Sequence, residues 1–131
     1  MKTVTLTTKN TLFAVDSVKN MLQTVYPLPV GITLQFMRAG VNDTYVAKAK
    51  NSKYIFRIYR FGLRSYDEIE FELKLLNHLK AKGADVSYPI KSSNGHYIIP
   101  VNSPEGLRYG VLFSYAEGDA IKYTDEKGEM A

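Results

Sequence analysis

The sequence of 131 residues contains no cysteine. Disulfides, thiolate zinc sites and cysteine nucleophiles are excluded together, and the usage fits a reducing compartment. Long hydrophobic runs are missing too. The longest uncharged stretch, Asn20 to Met37, is broken by Pro27, Pro29 and Gly31, so no segment is expected to span a membrane. No apolar signal core follows Met1 and Lys2, so secretion is not indicated and a cytoplasmic location is expected. The basic charge is not concentrated either. Seventeen Lys and Arg stand against 13 Asp and Glu, a net charge of +4. The only dense group is Lys48, Lys50, Lys53, Arg57, Arg60 and Arg64. Nucleic-acid binders concentrate their cations, so no nucleic-acid partner is expected. What remains, 45% apolar and 23% charged residues, is globular in balance, at a length that suits one domain around one core.

Leu12, Val15, Val18, Leu22 and Val25 recur at helical spacing from Thr11, and Pro27 ends that run. Thr3 to Thr7 is an edge strand or a loose arm. Ile32 to Arg38 is a strand, Gly40-Val41-Asn42-Asp43 a tight turn, and Thr44 to Ala49 a second strand. After Asn51-Ser52, Lys53 to Arg60 has the strongest strand composition of the chain, and three strands on short turns make an antiparallel meander. Ser65 and Glu68 have capping-box spacing, with Gly83 as the terminator of the helix between. Ile90, a Ser-Ser-Asn-Gly turn, Tyr97 to Val101, a Pro104-Glu105-Gly106 turn and Leu107 to Ser114 then supply two more strands. The pattern predicts an α+β fold: a five-stranded antiparallel sheet with an inserted helix on one face, preceded by an N-terminal helix.

Ile69, Leu73, Leu76 and Leu79 form the apolar stripe of the second helix, and Glu72 lies inside it. A carboxylate facing a core needs a cation. Arg57 shares a strand face with Ile55 and Tyr59, so it needs an acid. Pairing the two answers both needs, and an arginine fork holding a carboxylate can still offer a donor to a phosphate. Spacing alone favours a plain ion pair that only fixes helix to sheet, or two side chains reaching to water. Gly40-x-Asn42-x-Thr44 between two strands suits either an ordinary turn or a loop aiming N–H groups and small polar side chains at a phosphate.

The order of these parts resembles the N-terminal lobe of the aminoglycoside phosphotransferase and choline kinase group of kinase-like enzymes, with homoserine-kinase-type members nearest in character. The residues that carry the resemblance are Gly40-Val41-Asn42-Asp43-Thr44-Tyr45, Tyr54-Ile55-Phe56-Arg57-Ile58-Tyr59-Arg60, Glu72, Lys82-Gly83, Tyr88-Pro89-Ile90 and Val111-Leu112-Phe113-Ser114-Tyr115-Ala116-Glu117-Gly118. The resemblance implies that Gly40, Asn42 and Thr44 cover nucleotide phosphates and that Arg57 touches the α- and β-phosphates, oriented by Glu72. It makes Ser114 through Ala116 the hinge that meets the adenine edge, and Ile55, Leu34 and Phe113 the apolar walls. One hairpin glycine, where protein kinases have three, fits the small-molecule branch. ATP is the implied cofactor, and a hydroxyl-bearing small molecule, such as an aminoglycoside or amino alcohol, the implied acceptor.

Phosphoryl transfer also needs an aspartate base and a carboxylate for Mg²⁺. The His-x-Asp loop that carries the base in this group is not present: His78 precedes Leu79-Lys80, and His96 precedes Tyr97-Ile98. The expected division is therefore 1–31 as arm and helix, 32–118 as nucleotide-binding lobe, and 119–131 as the start of a second lobe that would bring Mg²⁺ and catalysis. An alternative is a non-catalytic, truncated kinase-like module that acts as an interaction surface or homodimerises.

Overall fold

The computed structural model describes residues 13–40 and 42–115. The segment Thr3–Thr7, Ala116 and the tail from 119 lie outside the described residues.

The chain runs α1 (Val15–Val25), β1 (Thr33–Arg38), β2 (Asn42–Lys48), β3 (Lys53–Tyr59), α2 (Tyr66–Ala81), β4 (Pro89–Ile90), β5 (Ile99–Ser103) and β6 (Gly106–Ser114). One sheet contains all six strands in the order β1-β2-β3-β6-β4, with β5 also on β6. The expected five become six because Pro89 and Ile90 pair with Phe113 and Leu112, while Ile99 to Ser103 pair with Gly110 to Gly106. Thus β4 and β5 follow one another along the same edge of β6.

Alternation along β3 divides the molecule. Phe56 and Ile58 join Val18, Leu22, Tyr26 and Ile32 in a core beneath α1, while Ile55 and Tyr59 join Ile69, Leu73, Val111 and Phe113 in a core beneath α2. A strand that buries both faces needs apolar residues at every position, and Tyr-Ile-Phe-Arg-Ile-Tyr meets this except at Arg57. Gly110 leaves room for the Phe56 ring: a Cβ there would lie 2.6 Å from Phe56 Cζ.

Local chemistry sets the ends of α2. Ser65 Oγ accepts from the Glu68 amide at 3.1 Å, and Glu68 Oε1 accepts from the Ser65 amide at 2.9 Å. At the other end Gly83 turns to φ +93°, a conformation that suits glycine. Tyr26 is extended (ψ 150°) ahead of Pro27 and closes α1. Among the described residues, no helix is long and apolar enough to cross a membrane.

Candidate functional site

The sheet face under α2 is built in rungs. Val46, Ile55 and Phe113 stand opposite one another on β2, β3 and β6; Thr44, Arg57 and Val111 form the next rung; Asn42 and Tyr59 form the third. Each step along a strand of two residues advances about 7 Å. The face therefore grades from an apolar rung beside Ser114 to a polar one beside Gly40.

Of the residues singled out in the sequence, Asn42, Thr44 and Arg57 come together on this face. Gly40 lies at its polar end, and a Cβ built on it meets nothing within 4 Å. The turn does not itself require glycine, and there is open space above it. Arg57 is half-buried, with its guanidinium carbon 5.0 Å from the centre of the Phe113 ring. It makes no hydrogen bond or ion pair with any described residue, so its donors are free for an anion.

The expected Arg57–Glu72 pair is not formed. Glu72 Oε1 instead accepts from Arg64 Nη1 at 3.0 Å and from the Tyr59 hydroxyl at 3.3 Å. Arg64 reaches it from the turn before α2, whereas Arg57 stands over the Phe113 ring in mid-strand. Burial also differs from the stripe reading. The Arg64 and Glu72 side chains are 36% and 29% exposed, so water already solvates much of this carboxylate. Both guanidinium groups and the carboxylate nonetheless act on one atom. Burial pushes the Tyr59 hydroxyl far above the usual tyrosine range, the Glu72 charge pushes it further, and Arg57 and Arg64 oppose the rise. Arg57 thus shares the strand face of Tyr59, and Tyr59 in turn donates to Glu72.

Leu34 does not wall this face, because it packs with the core under α1. Val46 takes that place, opposite Ile55. Ser114 is held at the end of β6: its amide donates to the Tyr88 carbonyl at 2.9 Å and its hydroxyl accepts from the Tyr88 amide at 3.0 Å. Ala116 lies outside the described residues. No group of three His, Cys, Asp or Glu side chains among the described residues could hold a metal.

One ionic group escaped the sequence reading. Arg108 Nη2 donates to Asp43 Oδ2 at 2.9 Å with both side chains 0% exposed, and the same arginine donates to the carbonyls of Tyr59 at 2.8 Å and Ile58 at 3.2 Å. Its carbon also lies 5.4 Å from the centre of the Phe13 ring. Asp43 points toward the α1 side, between Asn42 and Thr44, which point toward the α2 side. The pair thereby anchors the start of β2 to the end of β3, where β2 begins at Asn42, paired with Tyr59, rather than at Thr44 as expected. The signal was available: Arg108 interrupts an apolar strand just as Arg57 does.

The sequence model of the APH phosphotransferase enzyme family matches residues 33–122. An uncharacterized protein of Synechocystis sp., sll1119, is 35% identical over 105 residues, 80% of this chain and 29% of that protein. An uncharacterized protein of Deinococcus radiodurans is 34% identical over 91 residues, 70% of this chain and 27% of that one. Among solved structures, a microcompartment-associated aminopropanol kinase superposes with a TM-score of 0.65 at 23% identity over 79% of this chain and 33% of its own. The amicoumacin kinase hAmiN, in complex with AMP-PNP, Ca²⁺ and Ami, gives 0.66 at 22% over 81% and 32%. Both likenesses concern the fold. The chain spans about a third or less of each of these proteins.

Proposed function

This chain belongs to the phosphotransferase enzyme family, and from that premise we propose that it is the ATP-binding lobe of a small-molecule kinase. The observation that carries the reading is the free guanidinium of Arg57 on the graded face between Thr44 and Val111. A half-buried arginine without a carboxylate partner is a strong attractor for phosphate oxygens, because its planar fork can grip two of them.

In this reading Arg57 takes the α- and β-phosphates. Asn42 and Thr44 add polar contacts beside it, and the open space over Gly40 admits the phosphate chain. The rung Val46–Ile55–Phe113 lies under the base. Ser114 braces the start of the hinge through Tyr88, and the adenine-edge contacts fall to the residues after it, Ala116 included. Glu72 orients the cationic cluster through Tyr59 and Arg64 instead of gripping Arg57 directly. The domain division runs 1–31, 32–118 and 119–131, with Mg²⁺ and the base that accepts the acceptor's hydroxyl proton supplied from a second lobe. The acceptor class is a hydroxyl-bearing metabolite, amino alcohol or aminoglycoside.

ATP titration of wild type against Arg57→Ala tests this. Loss of one charge-assisted contact of about 1.5–3 kcal/mol weakens binding roughly 10- to 100-fold. Equal affinities would remove Arg57 from the site.

A further inference from the structure

Where β3 leaves the sheet, the β3–α2 turn and the β5–β6 hairpin line an open pocket of about 260 Å³. Arg60, Arg64 and Arg108 line it with Tyr59, Tyr66 and Tyr109, and its lining contains no aspartate or glutamate. Arg57 is not part of it. Two of the three cations are answered from outside the pocket: Arg64 by Glu72 at 3.0 Å and Arg108 by Asp43 at 2.9 Å. Arg60 is not answered. Its guanidinium pairs with no described residue, and its Nε is buried without an acceptor. A guanidinium without an acidic partner, at the wall of a pocket whose lining holds no carboxylate, is a ready partner for an anion.

The remaining walls describe the rest of such a ligand. The Tyr66 and Tyr109 rings meet edge to face, 5.7 Å between centres. Phe61 and Leu107, each 46% exposed, also line the pocket. The volume has room for one ring and one oxyanion. We propose that this pocket binds an aryl oxyanion, its charged end on the Arg60 guanidinium and its ring against Tyr66, Phe61 and Leu107. The site does not include Arg57, although it shares Tyr59 and Arg64 with the surroundings of that face, and it does not rest on the nucleotide reading.

The test is an NMR titration of the whole chain with phenyl phosphate, benzoate and inorganic phosphate. Saturable shifts at residues 59–66 and 107–109 are expected with an aryl probe, and the tighter of phenyl phosphate and benzoate identifies the oxyanion. Inorganic phosphate, lacking the ring, binds more weakly. Arg60→Gln weakens aryl-probe binding at least tenfold with an unchanged melting temperature. Leu107→Glu, which sets a carboxylate at the pocket while leaving the arginine in place, does the same. Arg57→Ala leaves it unchanged, so failure here is distinguishable from failure of the ATP assignment. The proposal falls if no saturable shift occurs at millimolar probe, if Arg60→Gln binds like wild type, or if the shifts cluster at Asn42, Thr44 and Arg57.

Discussion

Replacing Asp43 by asparagine removes one charge from an ion pair that has no contact with water. Both side chains are 0% exposed and 2.9 Å apart, so after Asp43→Asn the Arg108 guanidinium loses this carboxylate while its bonds to the Tyr59 and Ile58 carbonyls stay in place. An uncompensated buried charge costs about 3–5 kcal/mol, against a total stability on the order of 5–15 kcal/mol for a domain. For a chain of 131 residues that corresponds to a fall in melting temperature of roughly 10–20 °C. Glu72→Gln is the internal control. Its pair with Arg64 is about one-third exposed on each side, so solvent screens it and the expected loss is about 1 kcal/mol or less. The double change Asp43→Leu with Arg108→Met removes both charges and recovers much of the stability lost in the single variant. Differential scanning calorimetry of the four proteins decides the matter. Equal, small losses for Asp43→Asn and Glu72→Gln would refute the claim that the pair anchors β2 to β3.

Gly40→Ala is expected to leave melting unchanged, since a Cβ there meets nothing within 4 Å, yet to weaken ATP binding because the methyl enters the space assigned to phosphates. An alanine variant that binds ATP normally would displace the phosphates from that turn. Tyr26, Tyr45 and Tyr59 all have hydroxyls raised above the ordinary 10.0, burial being the largest cause. Each keeps its proton in the fold after the unfolded chain has lost it, so stability is intact below pH 10 and falls as pH rises beyond it. Each tyrosine contributes a slope of up to about 1.4 kcal/mol per pH unit. Urea unfolding across that range is therefore less steeply pH-dependent in Tyr59→Phe; an identical slope would mean that Tyr59 ionises freely.

Features that depend on near neighbours were legible in the sequence. The Ser65–Glu68 box and the Gly83 terminator act within a few residues, and both formed as read. Alternation along Lys53 to Arg60 correctly put Arg57 on the face of Ile55 and Tyr59. Pairing was harder, because it depends on reach as well as face. Glu72 had two cations available, and the one eight residues before it in sequence reached it first. The start of β2 is anchored by Arg108, 65 residues from Asp43, beyond the reach of any local rule for a glycine turn. Leu34 was assigned to the nucleotide side before its neighbours were known. In the fold it stands opposite Ala47, which belongs to the core under α1.

The most direct measurement maps where ATP touches the chain. Backbone amide shifts followed during ATP titration should move at Asn42, Thr44, Ile55, Arg57 and Phe113, and Arg57→Ala should require at least tenfold more ATP to move them. Shifts confined to the α1 side, at Val18, Leu22 and Leu34, or a titration indifferent to Arg57→Ala, would contradict the assignment of this face to the nucleotide.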